Sequence, residues 1–267
     1  GIERPAAMVP LVEPSLDADL ARFAGNEAIG DGGALCVRGT TTLRNASFSG
    51  NVAGARGGAI LHADGVLSLE NSTLAGNQAG TFGGALWAGA PVEVRRSTLD
   101  GNNAGINGGA LYVSGNGESL LRHATLFGNR ANGLANGVRV VHGIGQAVLR
   151  LDNSILQGGC SASTPDALAD SQQNIESPGD TCDLGFSNSV NVGAAALQLG
   201  PLTDNGGPTL TRMPLAGSPA LNRVLVIPSC TVVDQRGYVG TGGSCDSGSV
   251  EAAAVSPVPE IFADGFE

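Results

Sequence analysis

Short segments in which apolar or small residues alternate with polar ones recur along the chain as far as Leu156. One example is the stretch Thr42-Leu-Arg-Asn-Ala-Ser-Phe48, whose alternation is typical of a β-strand with one buried face. Glycine pairs and Gly-Asn steps separate these segments, and glycine readily adopts the positive φ angles that tight corners require. The pattern therefore predicts many short strands joined by tight corners.

Two linked signatures repeat with a period near 25 residues. The segment Phe23-Ala-Gly-Asn26 returns four times, and successive asparagines lie 25, 26, 25 and 27 residues apart. The segment Gly32-Gly-Ala-Leu35 returns at 57–60, 83–86 and 108–111, and is degraded to Asn136-Gly-Val138 in the fifth copy. Such a period, with two or three short strands in each repeat, predicts an all-β fold: a parallel β-helix. The usual crossover preference makes it right-handed.

Stacked coils turn each column of the repeat into a ladder with rungs about 4.8 Å apart. We predict an asparagine ladder at one corner, with side-chain amides bonded from coil to coil rather than to a metal or ligand. Its members are Asn26, Asn51, Asn77, Asn102 and Asn129. A second column predicts an exposed ion-pair ladder in which Arg44 pairs with Glu70, Glu70 with Arg95, and Arg122 with Asp152.

The column after the glycine pair provides the candidate binding site. If Leu35, Ile60, Leu86 and Leu111 face inward, the following residues face outward, and this outward stripe contains Cys36, Leu61, Trp87, Tyr112 and Arg139. Neighbouring rings on a flat sheet can stack on sugar rings. We therefore predict ligand-binding residues for a polysaccharide at Leu61, Trp87, Tyr112 and Arg139. The alternatives are that the rings only cover the sheet, or pack inside with the parity reversed.

Composition excludes several classes of protein. The 267 residues include 42 glycines and carry a formal charge of −10, and all 14 basic residues are arginines. Such an acidic chain argues against nucleic acid or an anionic membrane as partner. The glycines have no Gly-X-Y period, and no apolar run is long enough for a transmembrane helix. No signal segment is recognisable at the start, so we expect a mature form or an excised piece.

The sequence contains no recognisable catalytic constellation. Acidic residues are sparse in the coils, and no two of them fall in stacked register, as the paired carboxylates of a hydrolase would. The histidines His62, His123 and His142 are scattered, and His123 falls in a polar column with Asn45, Asn71, Arg96 and Asn153. No zinc spacing, phosphate loop or calcium repeat is present. We expect a protein without catalytic activity, metal or cofactor.

The cysteines are concentrated after the repeats. Cys36 lies alone in the repeats, and the others are Cys160, Cys182, Cys230 and Cys245. These four can pair in three ways, and the sequential pairing closes loops of about 20 and 15 residues, each worth about 3 kcal/mol. Disulfides suit an oxidising compartment. We predict β-helix coils over 1–159, closing coils and a cap with two disulfides over 160–251, and a linker and tail over 252–267.

The two signatures resemble the GGA(I/L) and FxxN repeats of polymorphic outer-membrane proteins. Blocks after the repeats resemble the closing region of bacterial choice-of-anchor Q domain proteins, which are pectin-lyase-like β-helices. These blocks are 174–182, 199–209, 215–220, 234–237 and 245–251, of which Asp-Asn-Gly-Gly-Pro-Thr (204–209) and Asp-Gln-Arg-Gly (234–237) are the most distinctive. The opening segment that usually precedes the first coils is not recognisable in residues 1–20.

The resemblance implies an exported location, secreted or on the outer surface of a Gram-negative bacterium. Our first hypothesis is a monomeric structural or adhesion-type scaffold without catalytic activity. The alternative is a polysaccharide-binding or polysaccharide-degrading protein of pectin-lyase-like shape. The last residues, 257–267, are similar to short terminal tails of exported Gram-negative proteins, so we consider them a sorting signal or an element packed on the last coil.

Overall fold

The chain winds into a parallel β-solenoid of about six coils. The computed structural model describes residues 15–141, 146–169, 172–184, 188–224, 233–240 and 243–256. Each complete coil contributes one strand to each of four sheets, here named A to D in the order in which the chain visits them. All strand pairs within these four sheets are parallel. Their register is kept from coil to coil, apart from an irregularity between Val37 and Arg38 in the first pair of sheet D. The predicted all-β parallel solenoid is confirmed.

The strands are short, and their bounds are as follows. Sheet A contains Ser15–Asp19, Thr40–Arg44, Leu67–Glu70, Val92–Arg95, Gly117–Arg122 and Ala147–Asp152. Sheet B contains Arg22–Ala24, Ser47–Ser49, Thr73–Ala75, Thr98–Asp100, Thr125–Phe127, Ile155–Gln157 and Ile175–Ser177. Sheet C contains Glu27–Ala28, Val52–Ala53, Gln78–Ala79, Asn103–Ala104 and Arg130–Ala131. Sheet D contains Leu35–Arg38, Ile60–Asp64, Leu86–Ala88, Leu111–Val113, Val138–Val140 and Cys160–Ala162.

A coil has four strands rather than the two or three expected from the sequence. The strands of sheet C consist of only two residues, such as Val52–Ala53 and Gln78–Ala79. Two residues are too few to show an alternating pattern, so this sheet leaves no periodic signal. A 3-10 turn at Pro165–Ala167 is the only helical element among the described residues.

Rows of aliphatic side chains fill the interior of the solenoid. One row comes from sheet D and another from sheet B, and their buried members include Ile60, Leu86, Leu111, Phe48, Leu74, Leu99 and Leu126. The row in sheet B begins with Phe23, whose ring stacks on that of Phe48 with centroids 4.6 Å apart. Because identical or similar side chains lie one rung apart, each side chain of a row packs against its counterpart on the next coil.

The two glycines of each pair have different structural roles. Gly57 has a φ of +65°, which side chains other than glycine rarely adopt. Gly58 does not have a positive φ, but a Cβ there would overlap the carbonyl oxygen of Gly84 in the next coil. The sequence suggested only the first role, since close approach between coils depends on stacking.

The corner between sheets A and B is formed by a column of residues in the left-handed conformation. These residues have φ angles between 44° and 53°, and they are Asn45, Asn71, Arg96, His123 and Asn153. Asparagine tolerates this conformation better than most residues, which explains its frequency in the column. His123 therefore occupies a structural corner.

After the coils, the chain packs along one side of the solenoid. We call residues 199–224, 233–240 and 243–256 the strap. It begins with two antiparallel strands, Leu199–Thr203 and Thr211–Pro214. Parts of the strap contact the outer face of sheet B from Thr73 to Thr125. The strap thus covers the flank of several coils.

The structure contains the predicted disulfide between Cys160 and Cys182. The side-chain oxygens of Glu176 accept hydrogen bonds from the backbone N–H groups of Thr181 and Cys182, which orders the loop that the disulfide closes. Cys36 is free and exposed. Cys230, which we paired with Cys245, lies outside the described residues, so that pairing stays a prediction.

Candidate functional site

The predicted stripe lies on the outer side of sheet D. Strand register places its members on successive rungs in the order Cys36, Leu61, Trp87, Tyr112 and Arg139, and the structure adds Ser161 on the next rung. We call this column the aromatic row. The side chains of Trp87, Tyr112 and Arg139 are half-buried, and the inward neighbours Leu86 and Leu111 are completely buried. The alternation of inward and outward side chains along these strands therefore places both rings on the outer side of sheet D.

Trp87 is part of a three-residue stack that crosses coils. The guanidinium of Arg56 lies over its ring, 4.4 Å from the centroid, and the ring edge passes over Gly89, the residue directly after the same strand. Asp31 holds that guanidinium with two hydrogen bonds, of 3.0 Å to Nε and 2.6 Å to Nη2. The side-chain hydrogen bond from Arg56 lowers the pKa of the Asp31 carboxyl below its usual value. The indole is thus held in place by a charged partner.

Tyr112 is held on the next rung in a similar way. Its ring packs on that of Phe82 with centroids 4.7 Å apart and an interplanar angle of 36°. Burial raises the pKa of the Tyr112 hydroxyl, and the nearby charge of Arg139 opposes this shift. Arg139 itself donates a hydrogen bond of 2.6 Å to the hydroxyl of Ser161. Two held rings and a guanidinium therefore lie on three successive rungs.

The other members of the row differ from the expectation. Leu61 was predicted to belong to an exposed stripe, but it is only 4% exposed. Its rung lies between those of Cys36 and Trp87, and a leucine is shorter than the indole beside it. Leu61 therefore offers no open surface for a ligand, and the binding hypothesis rests on Trp87, Tyr112 and Arg139.

Carboxylates of the coils form ion pairs with arginines, although not always in the predicted pattern. The pair of Arg122 and Asp152 is confirmed at 2.9 Å. The other two predicted pairings are wrong, because the arginines reach diagonal and same-strand neighbours instead of the adjacent rung. The observed partners are Asp17 for Arg44, Glu93 for Arg95 and Arg96 for Glu70. The column was aligned correctly, but the choice of partner depends on side-chain reach.

The two described histidines have structural positions. His62 is fully buried and points inward on the row of Val37, Ala88 and Val113. Burial lowers its pKa, since the charged form would lose hydration. His123 contacts the side-chain amide of Asn153 at 3.0 Å in the left-handed corner. His142 lies outside the described residues.

The five asparagines form a continuous ladder at the corner between sheets B and C. In the middle of the ladder, the Nδ2 of Asn77 donates to the Oδ1 of Asn102 at 2.9 Å and to the carbonyl of Phe48 at 3.1 Å. The same pattern links Asn26, Asn51, Asn77, Asn102 and Asn129. Each interior Oδ1 also accepts the backbone N–H of the preceding asparagine. These amides are engaged with one another and with the backbone.

A row of threonines on sheet B is a feature that sequence reasoning missed. Thr73, Thr98 and Thr125 point outward from the sheet, yet the strap buries all three. The amide of Gln235 connects two rungs, since its Nε2 donates to Thr73 and its Oε1 accepts from Thr98. The threonines were visible as a column in the repeat, but an outward threonine is ordinary on an exposed strand. Their burial was therefore not foreseeable from the repeat alone.

Asp100 anchors the same face by a charge interaction. The guanidinium of Arg212, on the strap, bonds to Asp100 and lies over the ring of Phe127, 3.9 Å from its centroid.

Among the described residues, no cluster of three or more His, Cys, Asp or Glu side chains has an arrangement that could hold a metal ion. The described part of the chain also contains no helix that could span a bilayer.

Comparison with known proteins gives one family match. Residues 45–63 match the model of the Chlamydia polymorphic membrane protein repeat. This segment contains both signatures of one coil, Phe48-Ser-Gly-Asn51 and Gly57-Gly-Ala-Ile60. No curated protein and no solved structure matches the chain. The repeat match and the parallel solenoid together fit a β-helix of the polymorphic-repeat type, and this repeat family suggests a surface-exposed protein.

Proposed function

We propose that the protein is a non-catalytic, exported β-helix that acts as a structural or adhesion-type scaffold on the bacterial surface or outside the cell. The observation that carries this proposal is the engagement of coil carboxylates with arginines. Asp17, Asp31, Glu70, Glu93, Asp100 and Asp152 each form an ion pair. Hydrolases of this shape instead need a protonated carboxyl beside an ionised one in an open groove.

Asp31 illustrates why these groups suit a scaffold. Arg56 lowers the pKa of its carboxyl, so Asp31 is ionised at neutral pH and cannot serve as a general acid there. The carboxyl with a strongly raised pKa among the described residues is Glu251, and it is buried in the strap. Asp31 thus acts as a partner for arginine, as do the other five paired carboxylates of the coils.

The exported location has two lines of support. A disulfide between Cys160 and Cys182 is favoured in an oxidising compartment. The second line is the resemblance to choice-of-anchor Q proteins, which implies an exported location. We propose that these proteins, with their pectin-lyase-like architecture, are closer relatives of the chain than other proteins with polymorphic repeats. Its two most distinctive blocks, 204–209 and 234–237, belong to the strap. Thr209 and Gln235 in these blocks donate hydrogen bonds to the carbonyls of Asn71 and Ser72, at the corner that leads into sheet B.

The catalytic question is tested by incubating the full chain with pectins, alginates and glycosaminoglycans. Reducing-sugar release and the absorbance of unsaturated products are measured against a heat-inactivated sample. We expect no product above this control. Product that is lost on Asp152→Asn or Asp31→Asn substitution would overturn the scaffold proposal and favour the degrading enzyme.

Surface location is tested on intact cells that produce the full-length protein. We expect added protease to remove the solenoid epitopes before the cells are lysed, while a periplasmic marker stays intact. Complete protection of the protein until lysis would contradict surface exposure.

Light scattering after gel filtration tests the monomeric state, for which we expect a mass near 26.5 kDa.

A second candidate function is polysaccharide binding through the aromatic row. It is favoured by the half-exposed rings of Trp87 and Tyr112 on adjacent rungs, each held by a second group. Held rings lose little conformational entropy when a sugar stacks on them. Part of the indole surface is already used by Arg56, so a sugar would have to share this face with the guanidinium.

Affinity electrophoresis on a polysaccharide panel tests the second candidate. We expect Trp87→Ala with Tyr112→Ala to abolish retention by at least one glycan without changing the unfolding midpoint by more than a few degrees. Leu134→Ala is the matched control, since that apolar side chain is 68% exposed and is not in the row. Equal retention of all proteins on every glycan would reject this function.

A further inference from the structure

Two distant parts of the strap are joined by a buried network of carboxylates. Asp234 Oδ2 accepts hydrogen bonds from Arg236 Nε at 2.9 Å and Nη2 at 2.7 Å. The same oxygen accepts the backbone N–H of Glu251 at 3.2 Å, and Arg236 Nη2 donates to the backbone carbonyl of Glu251 at 2.7 Å. The turn that carries Gln235 is thereby tied to the end of the strap.

The carboxylates of Asp246 and Glu251 extend this network. The backbone N–H of Asp246 lies 3.0 Å from both side-chain oxygens of Glu251. Asp246 in turn accepts the N–H of Asn222 at 2.7 Å through Oδ1 and the N–H of Ala252 at 2.7 Å through Oδ2. These bonds close the loop from 246 to 252 and connect it to residue 222.

The charges in this network do not balance. The charged groups that act on the Glu251 carboxyl are two acids, Asp234 and Asp246, and the guanidinium of Arg236. All four residues are between 1% and 7% exposed. Three ionised carboxylates beside one guanidinium in a buried site repel one another with little screening. One carboxyl has to remain protonated for the network to be favourable.

We propose that Asp234, Arg236, Asp246 and Glu251 form a pH-responsive latch, which holds the strap closed on sheet B most firmly at acidic pH and loosens as the pH rises. Two neighbours of the latch carry its effect to the sheet. Gln235 lies between Asp234 and Arg236 and bonds to Thr98, and Ser249 lies two residues before Glu251 and bonds to Thr125.

Glu251 is the carboxyl that titrates. Burial, together with the charges of Asp246 and Asp234, raises its pKa from 4.5 to about 8, against the lowering by the Asp246 N–H and Arg236. The closed latch therefore retains a proton that the open strap releases above about pH 4.5. Closure is strongest below that value, weakens as the pH rises towards about 8, and then changes no further.

Amide hydrogen exchange of the full chain tests the latch at pH values from 5 to 9, with rates corrected for their intrinsic pH dependence. We expect the protection of residues 243–252 to fall by up to tenfold per pH unit between about pH 5 and 8. Protection of strand Thr98–Asp100 is expected to follow in the same direction, since the strap covers it. In Glu251→Gln, whose side chain cannot ionise, this fall should disappear.

Two control variants keep the result specific. Glu118→Gln removes an exposed carboxyl on sheet A, and its amide protection should fall with rising pH as in the wild type. Gln78→Ala changes an exposed, uncharged side chain on sheet C and should also retain the fall. A flat profile for the wild-type protein, or an unchanged fall in Glu251→Gln, would overturn the latch.

A direct titration covers the case in which Glu251→Gln fails to fold. In the wild-type chain with labelled glutamate, the Glu251 carboxyl carbon is followed by NMR as the pH is changed. A midpoint above pH 6 supports the latch, whereas a midpoint near 4.5 overturns it.

Discussion

The side-chain oxygen of Gln235 accepts a hydrogen bond of 2.7 Å from the hydroxyl of Thr98, across 137 residues of sequence. The amide nitrogen of the same glutamine lies 2.9 Å from the hydroxyl of Thr73 and 3.0 Å from that of Thr209. One fully buried side chain therefore joins two coils and two parts of the strap. This contact connects the solenoid to the segment that covers it.

Gln235→Ala should destabilise the protein by about 2–4 kcal/mol, because buried hydroxyls lose their partners and a cavity remains. The free energy of unfolding in urea measures this effect. Gln78→Ala is the matched control, since Gln78 is exposed on sheet C, and it should change stability by less than about 0.5 kcal/mol. Equal effects of the two substitutions would show that Gln235 does not hold the strap.

The asparagine ladder should be more sensitive in its middle than at its end. Asn77→Ala removes the acceptor of two donors from Asn51 and the donor to the Phe48 carbonyl, so we expect a loss of about 2–4 kcal/mol. Asn26→Ala should cost less than about 1 kcal/mol, because Asn26 is exposed and terminal and keeps its backbone bond to Asn51. Chemical denaturation of both variants measures the difference, and similar losses would contradict the ladder as a source of stability.

His62 should make the solenoid sensitive to acid. Burial lowers its folded-state pKa below 6.5, so the unfolded chain binds a proton first as the pH falls. The contribution of His62 to the free energy of unfolding is therefore complete above about pH 6.5. As the pH falls below this value, the contribution decreases by at most about 1.4 kcal/mol per pH unit. His62→Val, which copies Val37 and Val113 of the same row, should remove this dependence.

Thermal unfolding at pH 7.5 and 5 measures the effect of His62. The wild-type midpoint should fall more than that of His62→Val as the pH is lowered. Parallel shifts in the wild type and His62→Val would reject the role of His62. Glu251 acts in the opposite direction over an overlapping range, so the comparison of single variants is needed to separate the two groups.

The disulfide should stabilise the end of the solenoid, and Cys36 should not contribute. Replacing Cys160 and Cys182 by alanine removes a cross-link over a sequence separation of 22, with an expected loss of about 3 kcal/mol. Cys36→Ser alters an exposed free thiol and should stay within about 0.5 kcal/mol of the wild type. Denaturation with and without reductant provides the measurement, and an unchanged midpoint after reduction would contradict this prediction.

The repeat allowed much of the fold to be predicted. The asparagine after each Gly and the leucine after each Gly-Gly-Ala recur in the sequence, and identical residues on successive coils must form ladders once the coils stack in register. Trp87 and Tyr112 were placed on adjacent outward rungs by the same reasoning. The burial of Leu61 was missed, because the exposure of a rung depends on the size of its neighbours.

The sequence by itself determined the coil period, the corners and the inward rows, since these depend on residues that repeat at a constant spacing. Only the tertiary structure decided which arginine binds which acid and where the strap lies. Arg96 pairs with Glu70 because its side chain is long enough to reach that carboxylate. Gln235 bonds to Thr98 because the chain turns back along the solenoid after the coils. No local sequence pattern encodes either contact. The latch of Asp234, Asp246 and Glu251 likewise arises only when separate segments are buried together, because burial is what changes their charge balance.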